Sequence, residues 1–157
     1  MFKRENRKYY IAYGSNLCIR QMVWRCPGAR IMGTGEICDY QLLFKGSKTG
    51  AYLTIEPYSG GRVPVAVWSV TDEDVRKLDR YEGYPNFYYR KEMRLPVRGR
   101  MLDAFVYIMH EERKIAVASD AYFQTCLEGY EDFGFDRKYL DEADAISMKE
   151  AASHEGK

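Results

Sequence analysis

From residue 30 to residue 109 the sequence runs as one β-forming segment after another, and only one helical stretch interrupts the series. Arg30 to Ile37, Tyr40 to Phe44, Ala51 to Ile55 and Val63 to Val70 are separated by Gly, Asp, Ser and Pro, the residues that end strands. Tyr88 to Val97 and Leu102 to Met109 follow, and Tyr9 to Tyr13 stands ahead of them all, which predicts seven strands. Helices do not alternate regularly with these strands, so a doubly wound parallel sheet is disfavoured. The prediction is an α+β fold whose sheet is curled or closed. Val63 to Val70 and Ala104 to Met109 are apolar on both faces and should be central, whereas Glu92 to Val97 alternates as a half-buried strand does.

The helices carry their own punctuation. Leu17 to Arg25 reads as a short helix stopped by Cys26-Pro27-Gly28. Asp120 to Phe133 sets Tyr122, Phe123, Cys126, Leu127 and Tyr130 at helical spacing and stops at Gly134. Asp136 to Lys149 is a weaker helix. Between Thr71 and Gly83 both ends are marked: Thr71 and Asp74 form a capping-box pattern, acids crowd the first turn, and Gly83 with Pro85 closes the helix. With 157 residues the chain fits one domain, with a core over about residues 9–150 and a polar tail over 151–157. Loose ends are expected before Tyr9 and after Ala151.

Composition removes several kinds of chemistry. Lys and Arg total 24 against 23 Asp and Glu, so no basic footprint for nucleic acid or an anionic membrane exists. The longest uncharged stretch, Tyr9 to Ile19, is too short to span a bilayer. Two histidines, His110 and His154, supply almost no material for a metal site or a Ser-His-Asp relay. Four cysteines without a C-x-x-C pair predict reduced, mostly buried thiols in a soluble cytoplasmic protein. Fourteen tyrosines exceed what an ordinary core asks for and suit the walls of a pocket as well.

Two segments can carry chemistry. On the capped helix, Val75, Leu78 and Glu82 sit at i, i+3 and i+7, which sets a carboxylate in the apolar stripe. Desolvation and the negative helix end both raise its proton affinity, toward the range of a general base at neutral pH. The alternative is that the last turn frays and Glu82 turns to solvent or pairs with Arg90. Tyr13-Gly14-Ser15-Asn16-Leu17 lies between a strand and a helix, where Ser15 or Asn16 can cap the helix and first-turn amides can meet an anion. It is neither a dinucleotide fingerprint nor a P-loop, and an ordinary cap is its plainer account. Tyr122 belongs to an apolar helix face, with core packing and a pocket-wall hydroxyl both open. Tyr88-Tyr89-Arg90-Lys91 fits a strand surface better than a single-stranded nucleic acid site.

Taken in order, Tyr13-Gly14-Ser15-Asn16-Leu17 and Leu78-Asp79-Arg80-Tyr81-Glu82-Gly83 resemble the γ-glutamylcyclotransferase superfamily, which includes AIG2-like proteins. The resemblance extends through Leu43-Phe44, Tyr52 to Ile55, Pro64 to Trp68 and the helix bearing Tyr122 and Gly129-Tyr130, and so covers most of residues 9–135. It implies a mixed, barrel-like sheet flanked by helices, with a pocket between the glycine loop and the acidic helix. It also implies Glu82 as the catalytic glutamate, Tyr13, Gly14, Ser15, Asn16 and Leu17 as the substrate-binding loop, and Tyr122 as a substrate-contacting tyrosine. Glu82-Gly83-Tyr84-Pro85-Asn86-Phe87-Tyr88-Tyr89-Arg90 resembles the branch acting on γ-glutamylamines, which adds Tyr88 to the binding residues, whereas the glycine loop resembles the branch acting on γ-glutamyl amino acids.

The implied substrate is a small γ-glutamyl amide, cyclised to 5-oxoproline with no metal, cofactor or protein nucleophile. A ligand-binding protein without turnover is the rival expectation on the same fold. Tyr84, Phe87, Tyr88 and Tyr89 are expected to cover the leaving amine and to favour uncharged or amine-bearing groups over a second carboxylate.

Overall fold

The computed structural model describes residues 6–47 and 50–155. Its centre is a five-stranded mixed sheet in the order β2-β3-β1-β5-β4. The strands are β1 (Arg7–Ala12), β2 (Arg30–Ser47), β3 (Gly50–Thr71), β4 (Tyr88–Val97) and β5 (Arg100–Met109). Only β1 and β5 run parallel; the other neighbours are antiparallel. The helices are α1 (Ile19–Arg25), α2 (Asp72–Glu82), α3 (Asp120–Phe133) and α4 (Lys138–Glu155), and a 3-10 turn at Ser15–Leu17 precedes α1.

Seven predicted strands become five because two breaks face each other at one irregularity of the β2–β3 ladder, where Cys38 pairs with Arg62 and Tyr40 with Pro57. Arg30 to Ile37 and Tyr40 to Phe44 are one strand, bent at Asp39, which takes a left-handed φ of 62° while its carboxylate accepts the Gly60 amide at 3.0 Å. An Asp in that conformation reads as a terminator, but here it lets the strand turn and continue. The facing segments, Ala51 to Ile55 and Val63 to Val70, likewise run together as β3. Val63 to Val70 is buried residue by residue, and β3 and β5 both flank the central β1, as their two apolar faces require.

The sheet is not closed by hydrogen bonds, yet its curl brings the edges β2 and β4 together. A Cβ added at Gly35 would stand 3.1 Å from the Pro96 carbonyl oxygen, and one at Gly33 would stand 2.8 Å from a Val97 methyl. Backbone meets strand at the seam, so side chains are dispensed with there.

Both ends of the chain are more ordered than expected within the described residues. Arg7 and Lys8 belong to β1, and the Arg7 guanidinium donates to the Gly28 and Ser69 carbonyls at 3.1 and 3.2 Å. α4 begins two residues after Asp136, whose carboxylate accepts the Lys138 amide at 2.9 Å, and it runs through most of the supposed tail to Glu155. Leu140, Ala143 and Ser147 supply its buried side, which packs on β2. Met1 to Glu5 and Gly156-Lys157 lie outside the described residues. No described helix is long and apolar enough to cross a membrane.

α2 and α3 follow their sequence signals closely. The Thr71 side chain accepts from the Asp74 amide at 3.1 Å, the Asp74 carboxylate accepts from the Thr71 amide at 3.0 Å, and Gly83 closes α2 at φ 65°. Ser119 caps α3 through the Tyr122 amide at 3.2 Å, and Gly134 ends it. α3 lies against the 3-10 turn at Gly129, where an added Cβ would come 2.6 Å from Leu17 Cβ and 2.7 Å from the Cys18 nitrogen. Cys18, Cys26 and Cys126 are buried free thiols, and Cys38 is exposed.

Candidate active site

The last turn of α2 does not fray. Val75 and Leu78 are buried below it, and Glu82, the final helical residue, is half-buried at the edge of a cleft. The expected alternative partner is engaged elsewhere: Arg90 pairs with Asp79 at 3.7 Å and lies over the Tyr84 ring.

Across from Glu82 stands the turn that ends β1. Leu17 and Cys18 donate their amides to Gly14 and Ser15, so the Ser15 and Asn16 amides precede that ladder, as at any helix start. Neither polar side chain caps a helix, contrary to the sequence expectation. Ser15 Oγ instead shares a hydrogen bond with Tyr81 Oη at 3.1 Å. Asn16, buried, donates from Nδ2 to Tyr10 Oη at 2.9 Å and to Glu82 Oε1 at 3.4 Å, while its Oδ1 accepts from Arg25. Two residues drawn from the cap vocabulary thus serve the space between the turn and α2.

That space has two parts. An inner recess of about 30 Å³ is lined by Tyr10, Tyr13, Gly14, Asn16, Tyr107 and Glu82, with Leu53, Tyr88 and Tyr122 completing its wall. An outer cleft of about 350 Å³ continues past Ser15, Glu82, Tyr88 and Tyr122 to Tyr52, Arg80, Tyr81 and Phe87. Of the predicted binding residues, Tyr13, Gly14, Ser15, Asn16, Tyr88 and Tyr122 all meet here. Leu17 does not. It is fully buried beneath α3 at Gly129, and its role is to seat the turn.

Tyr88 and Tyr122 grip one residue of β3 from both sides. Tyr88 Oη donates to the Leu53 carbonyl at 2.7 Å, and Tyr122 Oη accepts the Leu53 amide at 3.0 Å. Both accounts of Tyr122 hold together: its ring packs edge-on against Phe44, and it also walls the cleft. Tyr84 and Tyr89 fall outside. Tyr84 lies under Arg90, and Tyr89 bonds Glu111, so two of the four aromatic residues expected at the leaving end are absent from the cleft. Arg80 is present instead.

Burial pushes the Glu82 carboxyl up to about 8, with the Arg25 charge opposing it. The surrounding phenols move away from neutrality: burial first and the Glu82 charge second hold Tyr10 and Tyr13 well above their ordinary range. Burial does the same for Tyr88, Tyr107 and Tyr122. Glu82 is therefore the group of the recess that changes charge near pH 8, inside a ring of neutral hydroxyls.

Sequence reasoning missed Tyr10, Arg25, Tyr52 and Tyr107. Tyr107 Oη bonds Asp79 at 2.6 Å, and the Arg25 guanidinium lies 3.6 Å from the centroid of the Tyr81 ring. These contacts span 28 and 56 positions of chain, and no local spacing announces them. The fourteen tyrosines were the available signal, though a count does not say which ones converge.

The chain thus combines a curled mixed sheet with one half-buried carboxylate that faces a β1-to-helix turn. Residues 10–124 match the family model described as gamma-glutamyl cyclotransferase, AIG2-like, and the chain belongs to that family. Among solved structures, one titled as a gamma-glutamyl cyclotransferase superposes with a TM-score of 0.79 at 25% identity, covering 89% of this chain and 88% of that one. An uncharacterized protein from Homo sapiens gives 0.78 at 26% identity, covering 90% and 88%. An AIG2-like protein from Mus musculus gives 0.57 at 19% identity, covering 74% and 90%, a likeness of fold. No match is found among curated proteins.

Proposed function

We propose that the protein cyclises a γ-glutamyl amide to 5-oxoproline and releases an amine or amino acid, with Glu82 as general base and then general acid. The observation that carries this is a half-buried carboxylate with its affinity for protons raised to about 8, facing the Tyr13–Asn16 turn across a recess.

The substrate's α-nitrogen attacks its own γ-carbonyl carbon, a bond forms between them, and the carbon–nitrogen bond of the amide breaks. Over the whole reaction the α-nitrogen gives up two protons and the departing nitrogen gains two. A single carboxylate that takes and returns protons in turn balances the exchange. Nucleophile and electrophile belong to one molecule, so holding it bent toward a five-membered ring supplies much of the acceleration. The turn at Ser15 and Asn16 and the neutral hydroxyls of the recess are suited to orient the γ-glutamyl head, and the outer cleft to receive the leaving group. The free thiols fit a reducing compartment, and we place the protein in the cytoplasm.

The test is a panel of γ-glutamyl amides assayed for 5-oxoproline by chromatography, with Glu82→Gln as the folded control. Turnover by the wild type and its loss in the variant support the assignment. A panel that binds without releasing product makes the protein a ligand binder.

A further inference from the structure

We infer that Arg25 is a positioning residue for Glu82: by taking Asn16 Oδ1 it obliges the Asn16 amide to aim its N–H at the carboxylate. The inference rests on the proposed role of Glu82 and adds the group that sets its hydrogen bond. Arg25 touches no reacting atom.

An asparagine amide has an accepting end and a donating end, and the site decides which faces where. A guanidinium only donates, so Asn16 Oδ1 must meet Arg25 and Nδ2 must turn inward, toward Tyr10 Oη at 2.9 Å and Glu82 Oε1 at 3.4 Å. Without Arg25 the amide is free to rotate by half a turn and offer its oxygen to Glu82. A carboxylate gains from a donor and loses from an acceptor, so the first orientation favours the ionised base and the second the protonated acid. Arg25 is held in place on its own account. It is the last residue of α1, its guanidinium lies 3.6 Å from the Tyr81 ring centroid, and Nη2 donates to Gln21 Oε1 at 3.4 Å.

The other groups around Glu82 do not duplicate this role. Tyr10 of β1, Tyr13 of the turn, Tyr88 of β4, Tyr107 of β5 and Tyr122 of α3 bring phenols that burial keeps neutral, and Tyr81 of α2 brings a hydroxyl that bonds Ser15. Arg80 lines the outer cleft from α2 itself. The charge of Arg25 also lowers the proton affinity of Glu82, in the same direction as the amide it orients.

The experiment is the titration of the Glu82 side-chain carbon by NMR in glutamate-labelled protein, alongside the pH profile of kcat/KM. Arg25→Met is expected to move the Glu82 midpoint up by about one pH unit and to slow turnover at pH 7 about tenfold, with the rate recovering at higher pH. Arg25→Lys, which still donates to Asn16, should restore most of the shift. In an Asn16→Ala background, Arg25→Met should move the midpoint much less. An unchanged midpoint in Arg25→Met overturns the inference, and so does a full shift that persists without Asn16, since that is bare charge. Should Arg25→Met not fold, Arg25→Leu, which likewise cannot donate, is read in the same way. A shifted midpoint in a protein without turnover would sustain the positioning role and remove the catalytic one, so the two assignments fail separately.

Discussion

The two walls of the recess are built on opposite plans. α2 satisfies its own ends: Thr71 and Asp74 close the first turn on each other, and Gly83 closes the last. The turn opposite leaves its ends to the backbone and sends Ser15 to Tyr81 and Asn16 to Tyr10, Arg25 and Glu82. Both segments own residues fit for capping, but only α2 spends them so. A helix that must hold one carboxylate in an apolar stripe gains from firm ends. The turn instead keeps its polar side chains for the space in front of it.

The largest expected effect falls on Glu82 itself. Glu82→Gln should retain the fold while turnover drops about 100- to 10,000-fold, the usual cost of losing a general base; a variant with wild-type rates would retire Glu82. Next comes pH. Only the ionised carboxylate accepts the substrate's proton, so kcat/KM should climb about tenfold per pH unit below about 8 and level off above it. Stability runs the other way. Between the ordinary carboxylate value of 4.5 and about 8 the folded protein keeps a proton that the unfolded chain has lost, so the contribution of Glu82 falls as pH rises through that window. The melting temperature of Glu82→Gln, measured against wild type, should accordingly gain ground from pH 4.5 to pH 8.

A cap mutation sharpens the contrast from the other wall. Thr71→Ala should cost about 1 kcal/mol in denaturant unfolding, with kcat/KM unchanged well below the melting point; a parallel loss of activity would mean that the α2 end reaches the site. The smallest effect belongs to the leaving group. Phe87 and Tyr88 line the outer cleft, and so does Arg80, a cation that the aromatic pattern did not foresee. Arg80→Ala should lower kcat/KM for γ-glutamyl dipeptides about two- to fivefold, the worth of an exposed ion pair, and leave uncharged γ-glutamyl amides as they were. Equal losses in both series would return Arg80 to a wall role.

What was legible in the sequence follows the same division. α2 and α3 are readable to the residue because Thr71, Asp74, Gly83, Ser119 and Gly134 act within a few positions of their targets. The strand count was not, because Asp39 and Gly60 use the vocabulary of a chain break to make a bulge. At the site, Glu82 was legible from its place on a helical stripe, and the Gly14 turn from its place between elements. Leu17 shares that turn but faces α3, a distinction that depends on Gly129, far along the chain. The hydroxyls of Tyr10 and Tyr107 and the guanidinium of Arg25 arrive by folding alone.

Gly129 also gives the recess a second anchor, outside the lining of both the recess and the cleft. α3 meets the turn twice, through Tyr122 beside Gly14 and through the bare backbone at Gly129 beneath Leu17 and Cys18. The helix is thereby a ruler laid along the turn, with one mark at each end. A single methyl group at Gly129 would have to be accommodated by lifting the turn, carrying Ser15 and Asn16 with it, or by tilting α3, carrying Tyr122. Either way the spacing between the two sides of the pocket is written in part by a residue that has no side chain and never faces it.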